Sequence, residues 1–95
     1  MRNYELVVII NPSVAEDEVS AIVERTSQFI AERGGAIGEV NQWGRKKLAY
    51  PIKNSTEGNY VLTQFSMDPE LAAELEASLE LSEDILRHLL VRLGE

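Results

Sequence analysis

Arg45, Lys46 and Lys47 are the residues whose type and spacing most plainly offer chemistry. Three consecutive cations stand between Trp43-Gly44 and the strand-like run Leu48-Ala49-Tyr50-Pro51-Ile52. Together they form a point of attraction for a polyanion such as a phosphate backbone. No acidic residue falls between Glu39 and Glu57, although the chain carries a formal net charge of −7. An edge strand or hairpin tip loaded with Lys and Arg against aggregation has the same composition. The residues alone leave both readings open. A net-negative chain does not bind nucleic acid freely, so any such contact is local or shared with a basic partner.

Other chemistry finds little support. His88 is the sole histidine and cysteine is absent. A catalytic triad therefore lacks its parts, and a metal site lacks thiolates and a second imidazole. No glycine-rich phosphate loop or dinucleotide fingerprint occurs, since Gly34-Gly35 lacks the spacing. Asn11-Pro12-Ser13 offers few free amides to cradle an anion, which argues against a small hydrolase. The expectation is a protein that is not an enzyme, with no cofactor, no metal and no small-molecule substrate.

The elements that position these residues follow from periodicity. Residues 2–11 alternate as a strand whose two faces both become apolar after Leu6, which suits a central position. Asn11-Pro12 ends it. Ser13-Val14-Ala15-Glu16 has the pattern of a capping box, and Asp17 and Glu18 favour a helix N-terminus. Val19, Ile22, Val23, Thr26, Phe29 and Ile30 then make one helical stripe, stopped by Gly34-Gly35. Residues 36–53 form a long strand with a bulge expected at Gly44; its proline and cations mark it as an edge. Lys53 to Asn59 is a polar hairpin loop, and Tyr60 to Met67 a third strand. Asp68-Pro69 starts a second helix striped by Leu71, Leu75 and Leu79, with Glu70, Glu74, Glu76 and Glu80 mostly on its solvated side. Ser82 to Asp84 breaks it, and Ile85 to Leu93 is a last strand.

Strand-helix-strand-strand-helix-strand is the ferredoxin-like split βαβ order. It predicts an α+β fold, a four-stranded antiparallel sheet with both helices on one face. The other sheet face has no second layer. Val7, Ile9 and Leu90 are candidates for an apolar strip there, and such a strip points to a protein interface. Base-stacking modules of this fold class place aromatics on the third strand. Aligned on Gly58, those positions fall on Asn59 and Val61, neither aromatic, with Tyr60 on the intervening face. Base stacking on the sheet is thereby not expected as the main mode.

The remaining bounds are broad. Ninety-five residues with 44% hydrophobic content suit one domain spanning residues 1–95 with its own core. No stretch approaches the roughly 20 apolar residues of a membrane span. The Met1-Arg2-Asn3-Tyr4-Glu5 start is not that of a signal peptide. A soluble cytoplasmic protein is the expectation.

Trp43 to Ile52, followed by Glu57-Gly58-Asn59-Tyr60, closely resembles protein six of the bacterial small ribosomal subunit. Members of that family combine a glycine, basic residues and Leu-Ala-Tyr-Pro-Ile with a basic residue and Tyr-Glu near the N-terminus, and with Asn-Pro after the first strand. Arg2, Tyr4-Glu5 and Asn11-Pro12 stand in those places, so the likeness covers essentially the whole chain. The resemblance implies the ferredoxin-like fold and a structural role on the ribosome. It implies binding to the central domain of small-subunit ribosomal RNA as a heterodimer with protein eighteen of that subunit. Under it, Arg2, Arg45, Lys46 and Lys47 are expected to meet phosphate or sugar; Arg87, His88 and Arg92 extend that surface or meet the partner. Two departures stand out. Many members carry a C-terminal extension, whereas this sequence stops at Gly94-Glu95. Lysines also stand where arginine is common, keeping the charge without the planar fork. The alternative is a self-associating ferredoxin-like regulatory or ligand-binding domain.

Overall fold

The computed structural model describes residues 1–94. Its elements run β1 (Arg2–Ile10), α1 (Glu16–Glu32), β2 (Ala36–Ile52), β3 (Ser55–Met67), α2 (Pro69–Glu80) and β4 (Ile85–Leu93). The strands form one antiparallel sheet in the order β2-β3-β1-β4. β1 is therefore interior and β2 lies on an edge, as the apolar run and the Pro51-bearing strand predict.

Alternation along β1 decides where the helices go. Tyr4, Leu6, Val8 and Ile10 are buried, and they pack with Val61, Phe65 and Met67 of β3 and Ile85 of β4. Val19, Ile22 and Ile30 of α1 and Ala72, Leu75 and Leu79 of α2 close over the same side. Each fully buried aliphatic side chain contributes about 1.5–3 kcal/mol relative to exposure. That layer of apolar residues is what fixes the helices to one face.

Helix α1 begins without the expected capping box. Ala15 is its N-cap and makes no side-chain cap bond. The Ser13 hydroxyl instead donates to Asn11 Oδ1 at 2.9 Å, and the Ser13 amide donates to the same oxygen at 3.0 Å. The short Asn11 side chain holds the turn and leaves the helix to start three residues later. Asp68 occupies the N-cap of α2, with Pro69 at the first turn, but likewise makes no side-chain cap bond. The C-terminus of α1 follows expectation. Gly34 adopts φ +81°, and the amides of Gly34 and Gly35 donate to the carbonyls of Ala31 and Ile30.

The β2–β3 connection is tighter than the sequence implies. Ile52 pairs with Ser55, leaving Lys53-Asn54 as a two-residue turn with φ of 48° and 67°. Positive φ at both central residues matches the right-handed twist of a hairpin, so the strand extends back to Ser55 instead of starting at Tyr60.

Candidate nucleic-acid interface

Two irregularities in β2 shape the basic segment. Gln42 pairs with Val61 and Gly44 with Tyr60, so Trp43 is an extra residue in a bulge. Gly44 takes φ +83°, a conformation that glycine adopts without a Cβ clash. Further along, Lys47 pairs with Glu57 and Ile52 with Ser55, so Leu48 to Pro51 bow out of register opposite Thr56. Between these two features run Arg45, Lys46 and Lys47, all exposed.

The three cations are held differently. Arg45 Nη2 donates to the Pro12 carbonyl at 2.9 Å, and its Nη1 lies 3.5 Å from Glu57 Oε1. Arg45 thus ties the edge strand to the β1–α1 connection; an ion pair this exposed is worth about 0–1 kcal/mol. Lys46 pairs in register with Gly58 and shares its open sheet face. Lys47 stands across from Glu57 on the other face. Neither lysine makes an ion pair among the described residues. Glu16 and Asp17, at the start of α1, line a shallow cleft with Gln42, Gly44 and Asn59 on the helix side of this segment. Glu24 and Glu32 lie further along α1, and Glu70, Glu74, Glu76 and Glu80 lie on α2.

Arg87 joins this group from the far edge of the sheet. It pairs with Ile9, which pairs with Tyr60, which pairs with Gly44. Its Nη1 donates to the Tyr50 hydroxyl at 2.9 Å. Arg2 and Arg92 are exposed but stand at the other end of β1 and β4, with Arg92 opposite Tyr4. Arg92 is five steps of strand beyond Arg87, roughly 17 Å. His88 pairs with Val8 and therefore lies on the helix side, where its Nε2 is 3.5 Å from Glu76 Oε2. The structure thus brings Arg45, Lys46, Lys47 and Arg87 to one end of the sheet, places Arg2 and Arg92 at the other end, and turns His88, beside Arg87, to the helix side.

The open face differs from expectation at Leu90 and at Tyr60. Leu90 pairs with Leu6 and packs against the core beneath the helices. Leu89 and Val91, 50% and 39% exposed, take its place beside Val7 and Ile9, with Leu62 across from Val7. Tyr60 also lies on this face, while Asn59 and Val61 pair with Ile10 and Val8 on the other side. Trp43 stacks on Tyr60 with ring centroids 6.2 Å apart and planes 18° from parallel. The open face is thus aromatic at Tyr60 and Trp43, contrary to the parity expected from alignment on Gly58.

No group of three or more His, Asp or Glu side chains suited to a metal ion occurs among the described residues. No helix is long and apolar enough to cross a membrane.

A family model described as ribosomal protein S6 matches residues 3–92. The chain belongs to the ribosomal protein S6 family. Small ribosomal subunit protein bS6 of Moorella thermoacetica is 43% identical over 95 residues, covering 100% of this chain and 97% of that protein. The protein of the same name from Desulforamulus reducens is 41% identical, with all of both chains covered. The crystal structure of 30S ribosomal protein S6 from Thermotoga maritima superposes with a TM-score of 0.92 at 38% identity, over 97% of this chain and 87% of that one. A C-terminal domain of the MgtC protein from Mycobacterium tuberculosis, TM-score 0.62 at 15% identity, shares the fold alone. Membership gives the chain a structural, non-enzymatic role in the small subunit of the cytoplasmic ribosome.

Proposed function

We propose that this S6-family chain binds the central domain of small-subunit ribosomal RNA as a heterodimer with protein eighteen of that subunit. The observation that carries the proposal is the state of Lys46 and Lys47: exposed, and clear of ion pairs among the described residues, in a chain of net charge −7. A solvent-facing lysine beside a phosphate releases condensed counterions on binding, and that release drives most protein–RNA attraction. Arg45 adds a guanidinium whose other bonds hold it in place. Arg87 extends the surface from β4, and Arg2 with Arg92 offer a second contact at the far end of the sheet. The proposal does not rest on His88, which faces Glu76.

Phosphate contacts position a protein without reading bases, which suits a scaffold that holds an RNA junction. The basic partner supplies the remaining positive charge. Its docking is favoured by the apolar strip of Val7, Leu62, Leu89 and Val91 and by attraction to an acidic chain.

Co-sedimentation of the tagged chain across a ribosome gradient tests this reading. The expected result is migration with small subunits. Recovery solely as a free homodimer holding a metabolite would support a regulatory or ligand-binding domain instead.

A further inference from the structure

Trp43 is the sole tryptophan of the chain, and it is 47% exposed. A large aromatic at that exposure usually stays in contact with something apolar beneath it, and here that is the Tyr60 ring. The bulge at Gln42/Gly44 places the indole on the same side of the sheet as Tyr60. One ring face is thus supported while the rest of the indole meets solvent. Lys46 stands two positions past Gly44 on this side, and Arg87 closes the same cross-strand row. Tyr50, 58% exposed, sits over that row through its bond to Arg87.

A supported, outward-facing aromatic flanked by cations is the physical recipe for holding an unpaired nucleotide. The ring takes the base through stacking, and the cations take the phosphates on either side. Lys46 and Arg87, exposed cations on the same sheet face, favour an anionic nucleotide over an apolar protein segment at the indole. We infer that Trp43, braced by Tyr60, is a stacking platform for one unpaired base of the bound RNA, with Lys46 and Arg87 holding its flanking phosphates. The inference rests on the RNA-binding reading above and adds a second kind of contact to it. The ligand class is a single-stranded nucleotide in a loop or bulge, since a base inside a duplex presents no free face.

The test uses the full chain with protein eighteen and a fluorophore-labelled transcript of the RNA central-domain junction. Anisotropy of the label gives affinity as a function of salt. Emission of Trp43 is isolated by subtracting the Trp43→Phe complex. The expected result is quenching of Trp43 on RNA binding. Trp43→Ala should weaken binding by about five- to a hundredfold, and Trp43→Phe should retain most of the affinity. The salt slope should be the same in all three, because a stacked base releases no counterion. Thermal melts confirm that both variants fold. Full RNA affinity in Trp43→Ala with no quenching would overturn the platform and leave RNA binding intact. Quenching by the partner alone, with no further change on adding RNA, would make Trp43 a protein-docking anchor and also overturn it. Absence of RNA binding by the wild-type complex would overturn both readings together.

Discussion

The hydroxyl of Tyr50, on one edge strand, accepts a hydrogen bond at 2.9 Å from Nη1 of Arg87, on the other edge strand. Two strands, β3 and β1, lie between them. The contact is possible because Leu48 to Pro51 leave the β2–β3 register and carry Tyr50 over the open face. It fastens the irregular part of β2 at a single exposed point. Tyr50→Phe is therefore expected to lower global stability by about 0.5–1.5 kcal/mol at most. Its clearer effect is local: hydrogen exchange of the Leu48 to Ile52 amides should speed up while α1 and α2 stay protected. Uniform protection across β2 in the variant would show that the bond does not hold the arm.

Gly58 gives a second prediction. A Cβ at that position would clash with Ile9 Cγ2 and lie 3.7 Å from Leu86 Cδ1. Gly58→Ala should cost about 1–3 kcal/mol by overpacking the open face. Trimming the neighbour relieves the clash, so adding Ile9→Ala should cost less than it does in the wild type. A double-mutant cycle in urea reads that coupling, with favourable interaction of about 0.5 kcal/mol or more expected. Strict additivity would mean the strand moves aside instead.

The helix layer is tested at Leu75, which is 2% exposed and packs in the core shared by both helices. Leu75→Ala is expected to destabilise by about 2–5 kcal/mol, the lost transfer energy plus the cavity left behind. Chemical denaturation measures it directly. A cost well below 1 kcal/mol would contradict the packing of α2 described here.

Much of this architecture was legible in the chain because period and punctuation agreed. The stripe from Val19 to Ile30 with Gly34-Gly35 behind it specifies α1, and Gly44 marks the bulge in β2. Side-chain parity along the strands is not legible in the same way. Leu89 and Leu90 are both leucines, so composition cannot say which one faces the core; only the register against Val7 and Leu6 decides. Tyr60 faces the open side for the same reason: its pairing with Ile9, not its residue type, sets its parity and brings it under Trp43. The turn at Lys53-Asn54 was hidden differently. Asn tolerates positive φ, but Lys53 gives no signal of it, so the polar stretch looked like a longer loop. At Ser13 a local competitor, the Asn11 side chain, took the hydroxyl that a capping box requires. The basic run itself was visible from residue types. That Glu57 pairs with Arg45 and leaves Lys46 and Lys47 without an ion pair among the described residues is visible only in three dimensions.

The central claim is that Lys46 and Lys47 neutralise RNA phosphates, and the salt dependence of affinity tests it most directly. With protein eighteen present, log affinity for the central-domain RNA should fall linearly with log salt. Lys46→Ala and Lys47→Ala should each make that slope shallower by about 0.7–0.9, and together by roughly twice as much. Identical slopes for the wild type, both single variants and the double variant would contradict the account and take these side chains off the RNA surface.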